Sequence, residues 1–244
     1  MGTVRPMMRV DARTAVRWCV ERVFRRAVHP GLGEMDGAAR LQTTNAARFV
    51  AAIGIGAASF SAHRAELETD LRANPYLLSG GAYSGRWDVG RGEAAVLYSI
   101  MRSRTPGRIV ETGVANGFSS YTILCAIRRN GSGSLRSYDP GRDVGGLVPA
   151  GLREGRWDLV CGKLDRPEPM DVFFHDSLHT YANQRKEYRI AWPCLPPGGL
   201  LLADDADSSW ALIDFCASVG VPPLVLVGDR TVLGAVVKPP IGGA

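Results

Sequence analysis

A short apolar run within residues 172–181, VFFHDSLHTY, ends in side chains that can do chemistry. Val172–Phe174 has the composition of a buried strand, and His175, Asp176 and, three residues later, His179 follow it. A carboxylate beside an imidazole can move a proton or bind a metal ion. We therefore expect a reactive site where the burial stops, with His179 as a proton acceptor or as a residue that hydrogen-bonds locally. His175 is expected to pack or cap rather than to react.

Two more carboxylates, Asp204 and Asp205, end a second apolar run, GGLLLADDA, which is entered through LPPGG. With Asp176, three acids thus arrive at adjacent strand ends. Their mutual repulsion is unfavourable unless a cation relieves it, and all-oxygen ligands favour Mg²⁺, Ca²⁺ or Mn²⁺ over zinc. The pattern predicts a divalent metal site at these three residues, although Asp205 could instead cap a helix near residues 208–210.

Short β-prone runs recur from Arg108 onward, with helical or loop segments between most of them. They cover residues 108–112, 134–138, 157–161, 171–175, 199–203, 223–227 and 231–237. Strands that alternate with helices predict an α/β fold, here a Rossmann-like, doubly wound, mostly parallel seven-stranded sheet with helices on both faces. In such sheets ligands bind beyond the carboxyl ends of the strands, which is where the three acids would lie.

The residues ahead of the sheet are predicted to be largely helical. Helices are expected near residues 11–29, 36–65 and 92–104, with a turn-rich stretch at 74–90. We therefore expect two domains, an N-terminal helical extension and lid at residues 1–90 and the sheet domain at residues 91–244.

A glycine-containing loop follows the first strand in RIVETGVANGFSSYTILCAI. Glu111 ends the strand, Gly113 and Gly117 follow, and a helix opens near Phe118. Glycines let the backbone approach a ligand closely, and a helix N-terminus offers free N–H groups to an anion. The dinucleotide spacing G-x-G-x-x-G is missing and a strand-end acid would repel a pyrophosphate, so a ligand with an amino group and a carboxylate fits better.

Asp139 ends the second strand, in SLRSYDP. A carboxylate at the tip of that strand can accept hydrogen bonds from both hydroxyls of a ribose. This predicts a nucleoside cofactor without identifying it, and Asp139 could also merely cap the turn at Pro140.

The strand-end acid and the glycine loop resemble motif I of the class I S-adenosylmethionine-dependent methyltransferases. The three acids with His179 are similar to the divalent-metal site of the catechol and macrolide-sugar O-methyltransferase-like enzymes. The segments DSLHTYANQRKEY and LPPGGLLLADD resemble sequences of the broader family in which the fourth strand ends in Asp-x-x-His-x-Tyr. The resemblance covers roughly residues 75–240 and leaves the N-terminal helices unexplained.

The resemblance implies S-adenosyl-L-methionine as the cofactor. The residues that it assigns to cofactor binding are Glu111, Gly113, Gly117, Ser119, Asp139 and Asp176. It also implies Mg²⁺ held by Asp176, Asp204 and Asp205, with His179 as the general base. The implied activity is O-methylation of a hydroxylated small molecule, which is a secondary metabolite, sugar or phenol of natural product biosynthesis.

Three alternatives stay open at this point: a metal-independent methyltransferase, a nucleoside-binding protein that transfers no methyl group, and an aminopropyl transferase of the same fold. A serine hydrolase is disfavoured, because GFSSY has Tyr121 where a nucleophile elbow has its second glycine. Asp176 and His179 are also too close in sequence to come from the two separate loops that such a triad uses.

The charge and cysteine patterns limit the other function classes. Residues 1–30 contain seven arginines and two acids, which account for the formal net charge of +5. The remaining chain is neutral, which argues against nucleic-acid binding, and the basic start predicts an amphipathic helix that faces solvent, an oligomer partner or an anionic surface. Five scattered cysteines favour a reducing, cytoplasmic setting, and the most apolar stretch, residues 49–62, is too short to span a bilayer.

Overall fold

The structure, a computed structural model, describes residues 32–78, 88–228 and 230–240 of the 244-residue chain. Its helices are α1 (Leu32–Ala38), α2 (Ala46–Ala52), α3 (Ala57–Ala73), α4 (Arg91–Arg104), α5 (Phe118–Asn130), α6 (Ala150–Arg153), α7 (Tyr181–Ala191) and α8 (Ala211–Val219). Its strands are β1 (Leu41–Thr43), β2 (Arg108–Thr112), β3 (Ser134–Asp139), β4 (Trp157–Cys161), β5 (Val172–His175), β6 (Leu200–Ala203), β7 (Leu224–Val227) and β8 (Val232–Val237). The helix predicted near residues 11–29 lies outside the described residues.

The strands of the described residues form one eight-stranded sheet in the order β1-β7-β8-β6-β5-β2-β3-β4. Strand β8 runs antiparallel to β6 and β7, and the other neighbouring pairs are parallel. The predicted Rossmann-like sheet is therefore confirmed. The seven predicted strands match β2 to β8 to within one residue at each end, and β1 is an additional strand.

The central strands are buried on both faces. Val172 and Phe174 pack in one hydrophobic cluster, whereas Phe173, on the opposite face of β5, packs in a second one. Strand β6 alternates in the same way between the two clusters. Because β5 lies between β2 and β6 and all three are parallel, their carboxyl ends meet at one edge of the sheet.

The segment predicted as one helix at residues 36–65 is divided instead. It contains the end of α1, all of β1 and α2, and the start of α3. Leu41–Thr43 extends the sheet because it pairs with Leu224–Leu226, a partner that is remote in sequence, and tertiary pairing overrides local propensity. Gly54, with a φ of +88°, lies between α2 and α3.

Residues ahead of position 91 share the main core of the sheet. Phe49 and Leu67 belong to the same hydrophobic cluster as Ile109 of β2 and Leu202 of β6. The division into an extension and a sheet domain at residues 90 and 91 stays a prediction. Among the described residues, no helix has both the length and the hydropathy that crossing a bilayer requires.

Candidate active site

The end of β2 is held by a fully buried acid. Glu111 accepts hydrogen bonds of 2.6 Å from the hydroxyls of Ser119, Ser120 and Ser137. Burial raises the pKa of Glu111 above its ordinary value, although the three hydroxyls act in the opposite direction. Glu111 thereby connects β2 to the first turn of α5 and to β3. Two of the residues predicted to bind a cofactor, Glu111 and Ser119, lie in contact beneath the glycine loop.

The glycine loop needs glycine for two reasons. Gly113 and Gly117 have φ values of +84° and +91°, a region that residues with a Cβ rarely adopt. A Cβ on Gly113 would overlap with the backbone carbonyl of Asp176, and one on Gly117 would lie 2.8 Å from the Cα of Gly145. The loop therefore packs directly against the end of β5, which brings the predicted cofactor loop and the predicted metal site together.

Asp139 binds the same loop from the end of β3. Its carboxylate accepts hydrogen bonds from the backbone N–H groups of Val114 at 2.8 Å, Ala115 at 3.3 Å and Gly141 at 2.7 Å. The bond from Gly141 is the turn cap that the sequence left open as an alternative. The two bonds from the loop show that Asp139 also fixes the backbone near the position predicted for the cofactor.

Asp176, His179 and Asp204 converge beyond the ends of β5 and β6. Each offers one potential ligand atom, and these atoms lie within 4.8 Å of one another. The Nε2 atom of His179 is 3.6 Å from Oδ1 of Asp176, while its Nδ1 atom is 3.3 Å from Oδ2 of Asp205. The structure thus places the four predicted residues in one cluster, with Asp205 next to the imidazole and outside the group of three.

The repulsion expected between the acids is present. Burial, followed by the charges of Asp204 and Asp205, raises the pKa of Asp176 well above its ordinary value. Burial, followed by the charge of Asp205, raises the pKa of Asp204 to about 7. A hydrogen bond of 2.8 Å from the hydroxyl of Thr231 offsets part of that effect. Such a cluster favours protonation or a cation at neutral pH.

Two further acids near the cluster were not identified from the sequence. Asp88 accepts a hydrogen bond of 3.0 Å from the amide of Asn116 in the glycine loop, and its charge contributes to the raised pKa of Asp176. Glu93, in the first turn of α4, is 3% exposed and contributes in the same way to Asp204. An acid in the first turn of a helix is common for reasons of helix polarity alone, so its sequence position gave no functional signal.

Comparison with known proteins agrees with this arrangement. A family model described as a methyltransferase domain matches residues 110–206, which span the glycine loop and all four residues of the acidic cluster. The chain carries a methyltransferase domain. No curated protein sequence matches the chain.

Solved structures show the same fold at low identity. The SAH-bound methyltransferase PaMTH1 from Podospora anserina is 14% identical, with 98% of this chain and 100% of that chain covered and a TM-score of 0.51. A candidate O-methyltransferase from Klebsiella pneumoniae is 19% identical, with 78% of this chain and 94% of that chain covered and a TM-score of 0.50. The methyltransferase prediction is confirmed over the matched residues, and the solved structures share the predicted fold.

Proposed function

We propose that this methyltransferase transfers the methyl group of S-adenosylmethionine to a hydroxyl of a small molecule, with His179 as the general base and a divalent cation at the acidic cluster. The observation that supports this most directly is the convergence of Asp176, His179 and Asp204 within 4.8 Å, next to the glycine loop. The Klebsiella pneumoniae structure of similar fold, a candidate O-methyltransferase, agrees with oxygen as the acceptor atom.

The cofactor is proposed to bind across the glycine loop, Gly113 to Gly117. Asp139 has one N–H donor on Oδ1 and two on Oδ2, and a carboxylate has about four acceptor positions, so one position remains for a ribose hydroxyl. Asp176 supplies a carboxylate for the methionyl ammonium group. Glu111 and Ser119 support the glycine loop, because the hydrogen bond between them holds the start of α5 against β2.

The donor set fits a divalent cation. The side chain of Asp204 is buried and that of Asp176 is 9% exposed. Burial and neighbouring acids raise the pKa of both carboxyls, and a bound cation would remove the repulsion between them. These two acids would hold the ion, with Asp205 on the far side of His179 as a further carboxylate within the cluster. Mg²⁺ or Mn²⁺ suits carboxylate ligands. When bound, such an ion lowers the pKa of a coordinated acceptor hydroxyl.

His179 is positioned to receive the proton of the acceptor. Its two ring nitrogens face Asp176 and Asp205, and neighbouring carboxylates stabilise the imidazolium that forms. In the transfer, the acceptor oxygen forms a bond to the methyl carbon and the carbon–sulfur bond breaks. The electron pair of that bond stays on the sulfur, and the hydroxyl proton goes to His179. Much of the rate then comes from holding the oxygen in line with the methyl group.

A metal-independent transfer at the same site is the second candidate. A pKa of about 7 for Asp204 means that this buried acid is partly protonated at neutral pH, which relieves the repulsion without an ion.

Calorimetry and a transfer assay test both candidates. We expect S-adenosylhomocysteine to bind the wild-type protein at micromolar concentration and to bind Asp139→Asn more weakly, with the exposed Asp165→Asn as the matched control. Hydroxylated small molecules are then screened with methyl-labelled cofactor in Mg²⁺, in Mn²⁺ and in EDTA. Full turnover in EDTA would rule out the metal-assisted reaction and support metal-independent transfer. Absence of cofactor binding would overturn both.

A further inference from the structure

A buried carboxylate near the site accepts hydrogen bonds from the end of β2, from the end of β5 and from the segment that follows β5. Glu187, on α7, is 3% exposed. Its Oε2 atom accepts a hydrogen bond of 2.6 Å from the hydroxyl of Thr112, one of 2.8 Å from Nδ1 of His175 and one of 3.0 Å from the hydroxyl of Ser177. Thr112 and His175 are direct register partners at the ends of β2 and β5. One carboxylate therefore joins both strand ends to α7.

The protonation states in this group follow from the contacts. Burial raises the pKa of Glu187, but the hydrogen bond and charge of His175, with the hydroxyls of Thr112 and Ser177, outweigh it and lower the pKa below its ordinary value. An ionised carboxylate only accepts, so Nδ1 of His175 carries the proton. In the described part of the chain the buried Nε2 of His175 has no hydrogen-bond partner. The orientation of this imidazole is thus set by Glu187.

The segment that carries the reactive residues is tied to the same carboxylate. The amide nitrogen of Asn183 lies 3.2 Å from Oε1 of Glu187, 3.0 Å from the hydroxyl of Ser177 and 3.0 Å from the carbonyl oxygen of Leu178. Ser177 and Leu178 are the two residues between Asp176 and His179. The imidazole of His179 also packs edge-on against that of His175, with ring centroids 5.5 Å apart.

We propose that Glu187 is a positioning residue, which holds the segment from Asp176 to His179 at a defined place relative to the end of β2 and the cofactor loop. The inference deepens the proposed function, because it concerns how that same site is held. Glu187 acts through His175, Ser177 and Asn183, the three residues through which it is hydrogen-bonded to this segment. Outer residues of this kind typically change metal affinity by about 10- to 100-fold when they are altered.

Glu187→Gln tests this with little change in volume. A glutamine has one acceptor oxygen and cannot accept from all four donor groups, which belong to Thr112, His175, Ser177 and Asn183. We therefore expect the backbone amides of residues 176–180 to exchange hydrogen roughly tenfold faster, while the rest of the sheet is unchanged. We also expect Mn²⁺, measured by calorimetry, to bind about tenfold more weakly. Affinity for S-adenosylhomocysteine should change far less. A purely structural role would lower stability without separating these two affinities.

The matched control is Thr122→Val, which removes a buried hydroxyl that donates to the carbonyl of Phe118 within α5. It should leave exchange at residues 176–180 and both affinities at wild-type values. Ser177→Ala is the milder second variant and decides the matter if Glu187→Gln does not fold. Wild-type exchange at residues 176–180 in both variants, or faster exchange spread evenly over the sheet, would overturn the proposal. If the wild-type protein does not bind Mn²⁺, the proposed cation is wrong, and the exchange measurement still decides the role of Glu187.

Discussion

Replacing Asp204 by asparagine should stabilise the metal-free protein, and by an amount that depends on pH. Burial and the charge of Asp205 raise the pKa of Asp204 from an ordinary 3.8 to about 7. Asparagine has nearly the same shape and keeps an oxygen that can accept the hydrogen bond from Thr231. The substitution therefore removes the unfavourable charge and leaves the packing intact.

The sign and the size follow from proton linkage. An acid whose pKa is higher in the folded state than in the unfolded state takes up a proton on folding. It therefore lowers the free energy of unfolding as the pH rises above the unfolded pKa of 3.8, and this loss is complete above about pH 7. A shift of about three units corresponds to about 4 kcal/mol, because each unit is worth about 1.4 kcal/mol. The free energy of unfolding of Asp204→Asn should thus exceed that of the wild type by about 4 kcal/mol near pH 8 and by about 2 kcal/mol near pH 5.

Urea denaturation in EDTA at the two pH values measures this gain directly. Asp165→Asn is the control, since its side chain is 66% exposed, and its effect should stay within about 0.5 kcal/mol at both pH values. Adding Mn²⁺ should stabilise the wild-type protein and have little effect on Asp204→Asn. Equal stability of the variant and the wild type near pH 8, or a gain in stability that does not change with pH, would refute the claim that ionised Asp204 destabilises the metal-free protein.

Three further predictions concern the loop and the reaction. Gly113→Ala should lower the free energy of unfolding by about 3 kcal/mol or more, because Gly113 has a positive φ and its Cβ would overlap with the carbonyl of Asp176. Gly146 has open space around it, so Gly146→Ala should lower that free energy by less than about 1 kcal/mol in the same urea titration. His179→Gln should reduce the rate of methyl transfer about 100-fold or more in the labelled-cofactor assay, and a rate close to that of the wild type would exclude it as the base. Asp139→Asn should weaken binding of S-adenosylhomocysteine about tenfold in calorimetry, since a neutral amide binds hydroxyls and loop N–H groups less strongly; unchanged affinity would exclude the ribose contact.

The sheet was largely predictable because its strands are buried on both faces. Val172–His175 and Leu200–Ala203 are fully buried, and such strands appear in a sequence as short, continuous apolar runs. Parallel strands also bring their carboxyl ends to one edge. The sequence alone therefore predicts that the acids following β5 and β6 belong to one site.

The N-terminal half was harder to predict. Leu41–Thr43 has three residues and only one strongly apolar side chain, and it is a strand because Leu224–Leu226 lies beside it. Asp88 and Glu93 lie in the segment between β1 and β2 and follow no strand end directly, so no strand-end rule pointed to them.

By itself the sequence determined the types of residue at each strand end, and these were enough to predict the fold and methyl transfer. Only the tertiary structure decided which of those residues meet: Asp176 and Asp204 lie with His179, while Asp205 contacts the other side of the imidazole. It also brought Glu187 to Thr112, which is 75 positions away. The physical reason is that a hydrogen bond needs its atoms within about 3 Å, and spacing along a chain does not determine separations on that scale between side chains from different elements.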